Sequence, residues 1–151
     1  DTLVKPYKIF FKDGIKIGVF GLGIELQYLV SPDLYKETKY LDPIEITQDI
    51  SRDLKEKEAC DLVICLSHLG YNYKNSNKIS DLKLAAATKN IDLIIGGHTH
   101  TFLPKPTLVK NLNNENVLVN QVGAYGVNLG RVDFYFDENN QRETSNKTII
   151  L

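Results

Sequence analysis

At 151 residues, with 42% hydrophobic and 25% charged side chains, the chain is long enough to bury one sizeable core and has the composition of an ordinary globular domain. Eighteen Lys and Arg against nineteen Asp and Glu leave a formal charge of −1, which argues against bulk electrostatic attraction to nucleic acid or anionic membrane. No apolar run approaches the ~20 residues of a membrane-crossing helix, and no charged-then-apolar signal segment opens the chain. It begins with Asp and has no Met, which reads as a processed product or a piece of a longer protein.

In chain order, YKIFFK (7–12) and IKIGVF (15–20) are β-rich runs separated by Asp13-Gly14, the signature of a tight antiparallel hairpin. Residues 21–41 show no sustained period and read as a loop-rich excursion. Asp42-Pro43-Ile44-Glu45 then supplies a cap, a proline at the first helical position and an early acid. With Ile46, Ile50 and Leu54 at four-residue steps, this predicts a helix to about Glu58 that buries one stripe. DLVICLS (61–67) is a continuous apolar run of strand length, expected to be covered on both faces. Cys60 and Cys65, the only cysteines, are five residues apart on a path too extended for a disulfide and read as two buried free thiols.

SDLKLAAATK (80–89) predicts a short helix capped by Ser80, and DLII (92–95) a second buried strand. Helix, strand, helix, strand is the alternation that builds a parallel sheet. Beyond it the chain turns β-rich, with strands expected at 107–110, 117–121, 129–137 and 144–150. Asp61 and Asp92 precede their strands and read as helix-to-strand turn residues. Gly18 to Gly23 has the spacing G-x-x-G-x-G with no helix opening after it, so it is not a nucleotide loop.

Each buried strand ends in histidine: DLVICLSHLG and DLIIGGHTH. In open α/β sheets ligands bind beyond the carboxyl ends of the strands, and all three histidines of the chain, His68, His98 and His100, fall there. If the two strands are neighbours, one strand spacing of ~4.8 Å would bring the imidazoles into one cleft. In an extended segment His98 and His100 point the same way across Thr99. Gly96 and Gly97 would leave room for an ion or a phosphate beside the main chain. Imidazole suits Zn, Mn or Fe better than Mg or Ca. Tyr71 and Tyr73, in the polar loop after His68, could line an entrance or simply be solvated.

At LSHLG (66–70), GGHTH (96–100) and VNQVGAYGVNLGRVDF (119–134), in that order and spacing, the chain resembles the calcineurin-like metallophosphoesterases, specifically the 5′-nucleotidase and UDP-sugar hydrolase branch. The resemblance spans nearly the entire chain and implies an α/β fold: half of a four-layer α/β/β/α sandwich, a mixed sheet with a β-rich C-terminal part. It implies a hydrolase in which water activated by two divalent metal ions (Zn, Mn or Fe) attacks the phosphate ester of a nucleotide or a related compound. Carried over by motif, His68 and His98 would share one ion and His100 would contact the second. The branch is commonly periplasmic or on the cell surface.

Three of the family's motifs do not occur in this sequence: Asp-x-His, Gly-Asp-x-x-Asp with the bridging aspartate, and Gly-Asn-His-Glu or -Asp with the catalytic histidine. The expectation is therefore residues 1–151 as one domain, the C-terminal portion of the catalytic domain. It would carry metal ligands but no catalytic residue, would be inactive alone, and would need the N-terminal half as partner. The competing reading is a non-catalytic metal- or ligand-binding domain of the same fold.

Overall fold

The computed structural model describes residues 4–27, 29–74, 76–137 and the backbone of 142–150. The hairpin forms as read. Asp13 and Gly14 both take positive φ, 51° and 83°, as a primed two-residue turn requires, and β1 (Tyr7–Lys12) pairs antiparallel with β2 (Ile15–Leu22). From there β2 runs parallel to β3 (Leu62–Ser67) and β3 parallel to β4 (Leu93–Ile95). Beyond β4 the sheet skips a strand: β5 (Thr107–Lys110) lies at the edge, antiparallel to β6 (Asn116–Asn120), which itself pairs parallel with β4. The resulting six-stranded mixed sheet has the order β1-β2-β3-β4-β6-β5, and β7 (Asn128–Phe136) pairs with β8 (Arg142–Ile150) in a separate ribbon.

The excursion after β2 contains one short helix, α1 (Pro32–Tyr35), which four residues cannot announce as a period. Helix α2 (Pro43–Arg52) starts at the expected cap, with Asp42 Oδ1 accepting from the Ile44 and Glu45 amides at 2.8 and 3.0 Å. Of the expected stripe Ile46, Ile50 and Leu54, Leu54 is fully buried as expected, whereas Ile46 and Ile50 are only half-buried. Pro43, Thr47 and Ser51 face inward, with Leu54 in the π-helical turn Asp53–Lys57 that follows. The phase is set by α3 (Asp81–Ala87): Gln48 Nε2 donates to Ala87 O and Ser51 Oγ to Lys89 O, which turns the polar edge of α2 inward. Ile44 and Ile50 still pack against the core, half-buried.

Both long helices cover one sheet face, where Phe20, Val63, Cys65, Ile94, Val117 and Val119 are buried with Leu54, Leu84 and Ala85. Gly18 permits this contact: a Cβ there would lie 2.7 Å from Leu54 Cδ2. Cys60 and Cys65 are buried free thiols, as expected, and burial pushes both thiols up from their ordinary pKa. Asp61 and Asp92 are strand-start residues, accepting from the Lys16 and Val63 amides at 2.7 Å each.

The expectation that β3 and β4 are covered on both faces needs correction. On the second face Leu62, Leu93 and Leu118 are buried, but Leu66 and Ile95, partners in register, are 48% and 45% exposed. The β7–β8 ribbon explains the division. Phe134 and Phe136 share a cavity with Ile17 and Leu62 at the start of the strands, and nothing among the described residues covers their ends to the same degree.

The asymmetry is measurable. Leu54→Ala should lower the unfolding free energy by about 3 kcal/mol, whereas Leu66→Ala should cost less than about 1 kcal/mol, in urea denaturation. Equal costs would show that both faces are core.

Candidate functional site

Because β2, β3, β4 and β6 run parallel, their carboxyl ends share one edge, and the segments that follow β3, β4 and β6 interlock there. His68 follows β3, with its amide donating to Leu22 O at 2.9 Å, and His98 follows β4. Their rings meet edge to face with centroids 5.3 Å apart, so the expected neighbourhood of the two strands and the meeting of these two imidazoles are both observed. The third histidine goes elsewhere: the His100 ring packs edge to face on Tyr125, centroids 5.6 Å apart. Among the described residues no group of three or more His, Cys, Asp or Glu is arranged to hold an ion.

The segment carrying His98 and His100 is not extended, which corrects the same-side argument based on a two-residue repeat. Both histidines have positive φ, 71° and 52°, and the Thr99 amide donates to Gly97 O at 2.9 Å. His98 is therefore the centre of a tight three-residue γ-turn, a rare and strained geometry for a residue with a side chain. The glycines also serve a purpose other than the one expected. A Cβ at Gly96 would collide with Asp81 Oδ2, and one at Gly97 would sit 3.0 Å from His68 Nδ1. The space they clear is taken by protein.

Two buried polar side chains, neither singled out as a site residue by the sequence, hold these turns. Gln121, just past β6, donates from Nε2 to Gly97 O and accepts at Oε1 from the Thr101 amide and from Thr99 Oγ1. Thr99 Oγ1 in turn accepts from the Tyr71 amide at 2.9 Å, tying the two histidine loops together. Asp81, the first residue of α3, accepts at Oδ1 from Ser67 Oγ at 2.5 Å, and Ser67 Oγ accepts from the Leu69 amide at 3.1 Å. The hints in the sequence were the place of Gln121 inside the 119–134 stretch, at the tip of the apolar strand VLVNQ, and an acid opening a helix.

Tyr71 and Tyr73 are structural. The Tyr71 hydroxyl pairs with Thr107 Oγ1 and the Tyr73 hydroxyl donates to Leu69 O. Gly70, at φ 96°, admits them, since a Cβ there would lie 2.5 Å from the Tyr73 hydroxyl and 2.7 Å from Thr99 Cγ2.

Electrostatically, partial burial lowers the His98 pKa, and the positive charges of Lys78, His68 and His100 lower it further. Each effect disfavours the charged ring and so favours the neutral imidazole, the form with a lone pair to offer a metal. Asp81 is shifted the other way. Desolvation, partly offset by the Ser67 hydrogen bond, raises it to about 6. Paired imidazoles are donors of the kind a borderline divalent metal takes, and among the described residues no third His, Cys, Asp or Glu joins them.

Comparison with known proteins places the chain beside nucleotide phosphoesterases and 5′-nucleotidases. No family model matches the chain. It is 38% identical over 149 residues to the trifunctional nucleotide phosphoesterase protein YfkN of Bacillus subtilis, covering 97% of this chain and 10% of that protein. It is 32% identical over 154 residues to the 5′-nucleotidase of Vibrio cholerae, covering 89% of this chain and 28% of the relative. Among solved structures, a 5′-nucleotidase precursor from Thermus thermophilus superposes with a TM-score of 0.78 at 28% identity, over 97% of this chain and 30% of that one. The chain thus spans less than a third of each of these proteins, and its mixed α/β fold is shared with the Thermus thermophilus structure over that segment.

Strain at His98 predicts that His98→Gly is more stable than His98→Ala by about 1 kcal/mol, because only glycine takes positive φ without a steric cost. Urea unfolding of the two variants checks this, and equal stabilities would contradict the γ-turn. For Asp81, the folded-state pKa of about 6 lies above the ordinary carboxyl value of 3.8. The protonated form is therefore favoured by folding: its contribution is full below about pH 4 and is lost as pH rises through 6. Asp81→Asn should gain up to about 3 kcal/mol relative to the parent between pH 4.5 and 7.5, as two pKa units imply. A pH-independent difference would show that Asp81 is not desolvated.

Proposed function

Because the chain is homologous to a segment of calcineurin-like phosphoesterases of the 5′-nucleotidase branch, we propose that it supplies the histidine-bearing C-terminal portion of the catalytic domain of a metal-dependent phosphohydrolase acting on nucleotides or related phosphate esters. The observation that carries this reading is the His68–His98 pair, two imidazoles 5.3 Å apart at the ends of adjacent parallel strands. His68 and His98 would share one divalent ion, and His100, on its own side of the γ-turn, would reach a second. Borderline ions such as Zn, Mn or Fe match imidazole donors. When bound, a pair of such ions would neutralise charge developing on the phosphate and align the attacking and leaving oxygens.

This chain's own residues set the stage for that chemistry. The γ-turn aims His98, burial and neighbouring positive charge favour its neutral form, and Lys78, whose charge reaches His98, adds positive potential for an anionic ester. The bridging carboxylate, asparagine and catalytic histidine would come from the N-terminal half of the domain. The half-bare apolar pair Leu66 and Ile95 supports that assignment, since it lies two residues before His68 and three before His98, where a second body would also exclude water from the site. An exported location, periplasmic or at the cell surface, belongs to the same reading. No helix among the described residues is long and apolar enough to cross a membrane.

Two outcomes are expected. The chain alone releases no phosphate from nucleoside monophosphates above a His98→Ala control, and joined to its N-terminal half it does. In calorimetric titration with Zn²⁺, His68→Ala and His98→Ala each weaken binding at least about tenfold, the scale on which loss even of a ligand's supporting partner is felt. Hydrolysis by the isolated chain, or unchanged metal affinity in both variants, would overturn the proposal.

A further inference from the structure

Asp81 is wholly buried, yet one of its carboxylate oxygens, Oδ2, meets no hydrogen-bond donor among the described residues. Burying a carboxyl group without satisfying it is costly, so its presence calls for a reason beyond helix capping. Ser80 already caps α3 by accepting from the Lys83 amide, and an acid placed for the helix dipole would serve from the surface. What Asp81 does touch is the backbone of both histidine turns. Through Ser67 Oγ, and so the Leu69 amide, it fixes the residues on either side of His68. Its own amide donates to Gly70 O at 2.8 Å, closing the same turn from the other end. Its Oδ2 lies against Gly96, on a spot that any side chain at 96 would need, and Gln121 Nε2 is 3.3 Å from that spot on the far side. Gly96 is thereby held between Asp81 and Gln121, two residues before His98.

We propose that Asp81 is a positioning residue of the histidine site: it sets the turn carrying His68 against the turn carrying His98 and so maintains the spacing of the two imidazoles. The inference rests on the reading that these histidines act together, but it concerns their geometry and holds without a bound ion. Among the described residues the Asp81 carboxyl group makes no hydrogen bond to either ring. It acts through Ser67 and Gly96, and small displacements of such supports are amplified at the groups they carry.

The test is made on the chain itself, by NMR and by titration with Co²⁺. The ring-proton cross-relaxation between His68 and His98 should fall at least about threefold in Asp81→Ala and in Ser67→Ala. Co²⁺ affinity should fall about tenfold in both, the range found when a ligand's support is removed. Asp81→Asn, which keeps an acceptor for Ser67 in the same volume, should stay within about twofold of the parent in both readouts. Leu54→Ala, a core truncation remote from the turns, should lower stability while leaving the ring contact in place. Unchanged ring contacts in Asp81→Ala and Ser67→Ala would overturn the proposal, as would an equal loss in Leu54→Ala. Should Asp81→Ala fail to fold, Ser67→Ala against Asp81→Asn decides. Should the parent bind no Co²⁺, the metal reading of the site fails, and the ring contacts alone decide the role of Asp81.

Discussion

Strands β3 and β4 lie side by side in parallel, Cys65 beside Ile94 and Leu66 beside Ile95, so both deliver their chains to the same edge of the sheet at the same height. Every feature of the candidate site depends on that register. A shift of one residue would turn each side chain to the opposite face. Ser67 would then leave the helix side, where Asp81 receives it, and the turn behind it would carry His68 away from His98. The apolar face formed by Val63, Cys65 and Ile94 against Leu54 and Leu84 makes such a shift costly, because it would bring the half-bare Leu66 and Ile95 inward in their place. The core specifies the register, and the register specifies the distance between two imidazoles.

The site draws on that stability. His98 and His100 both occupy left-handed backbone, at about 1–3 kcal/mol for each such residue, and Asp81 brings a carboxyl group into a dry interior. Each cost resembles the loss of one well-packed core side chain. Such conformations persist only where the surroundings over-determine them, and here the surroundings can be named: Gln121 bonds Gly97, Thr99 and Thr101, while Ser67 and the Asp81 amide brace the other turn. Strain and support sit within a few residues of each other at the strand ends, and the opposite ends of the same strands are held by the plainer Asp61 and Asp92 turns.

Much of this architecture could be read from local chemistry. Asp13-Gly14 can make few turns other than the one it makes, Asp42-Pro43 starts a helix for reasons internal to those residues, and two apolar runs interrupted by a helix pair in parallel. What escaped was set by tertiary contact. The phase of α2 follows its hydrogen bonds to the end of α3 rather than its own isoleucines. The His98 turn escaped because the alternation of side chains holds only while a strand stays extended, and two glycines before the histidines end that condition. Asp81 and Gln121 escaped because burial makes them important, and burial is not a property of sequence spacing. The histidines themselves were legible because their chemistry is rare and their positions coincide with strand ends.

The meaning of Gly96-Gly97 shows how a correct motif can carry an incorrect mechanism. Glycines before a pair of histidines suggest room for a ligand, yet the volume beside Gly96 belongs to Asp81 and that beside Gly97 to the ring of His68. A larger residue at either position would therefore displace a support or a histidine rather than block a ligand, and the damage would appear as lost geometry. The distinction bears on how the site is built: its open side faces solvent at the exposed His68 and His100, while the side toward the sheet is closed by protein atoms. An ion or a phosphate would approach from that solvent side, with the glycine turn acting as the packed wall behind the imidazoles.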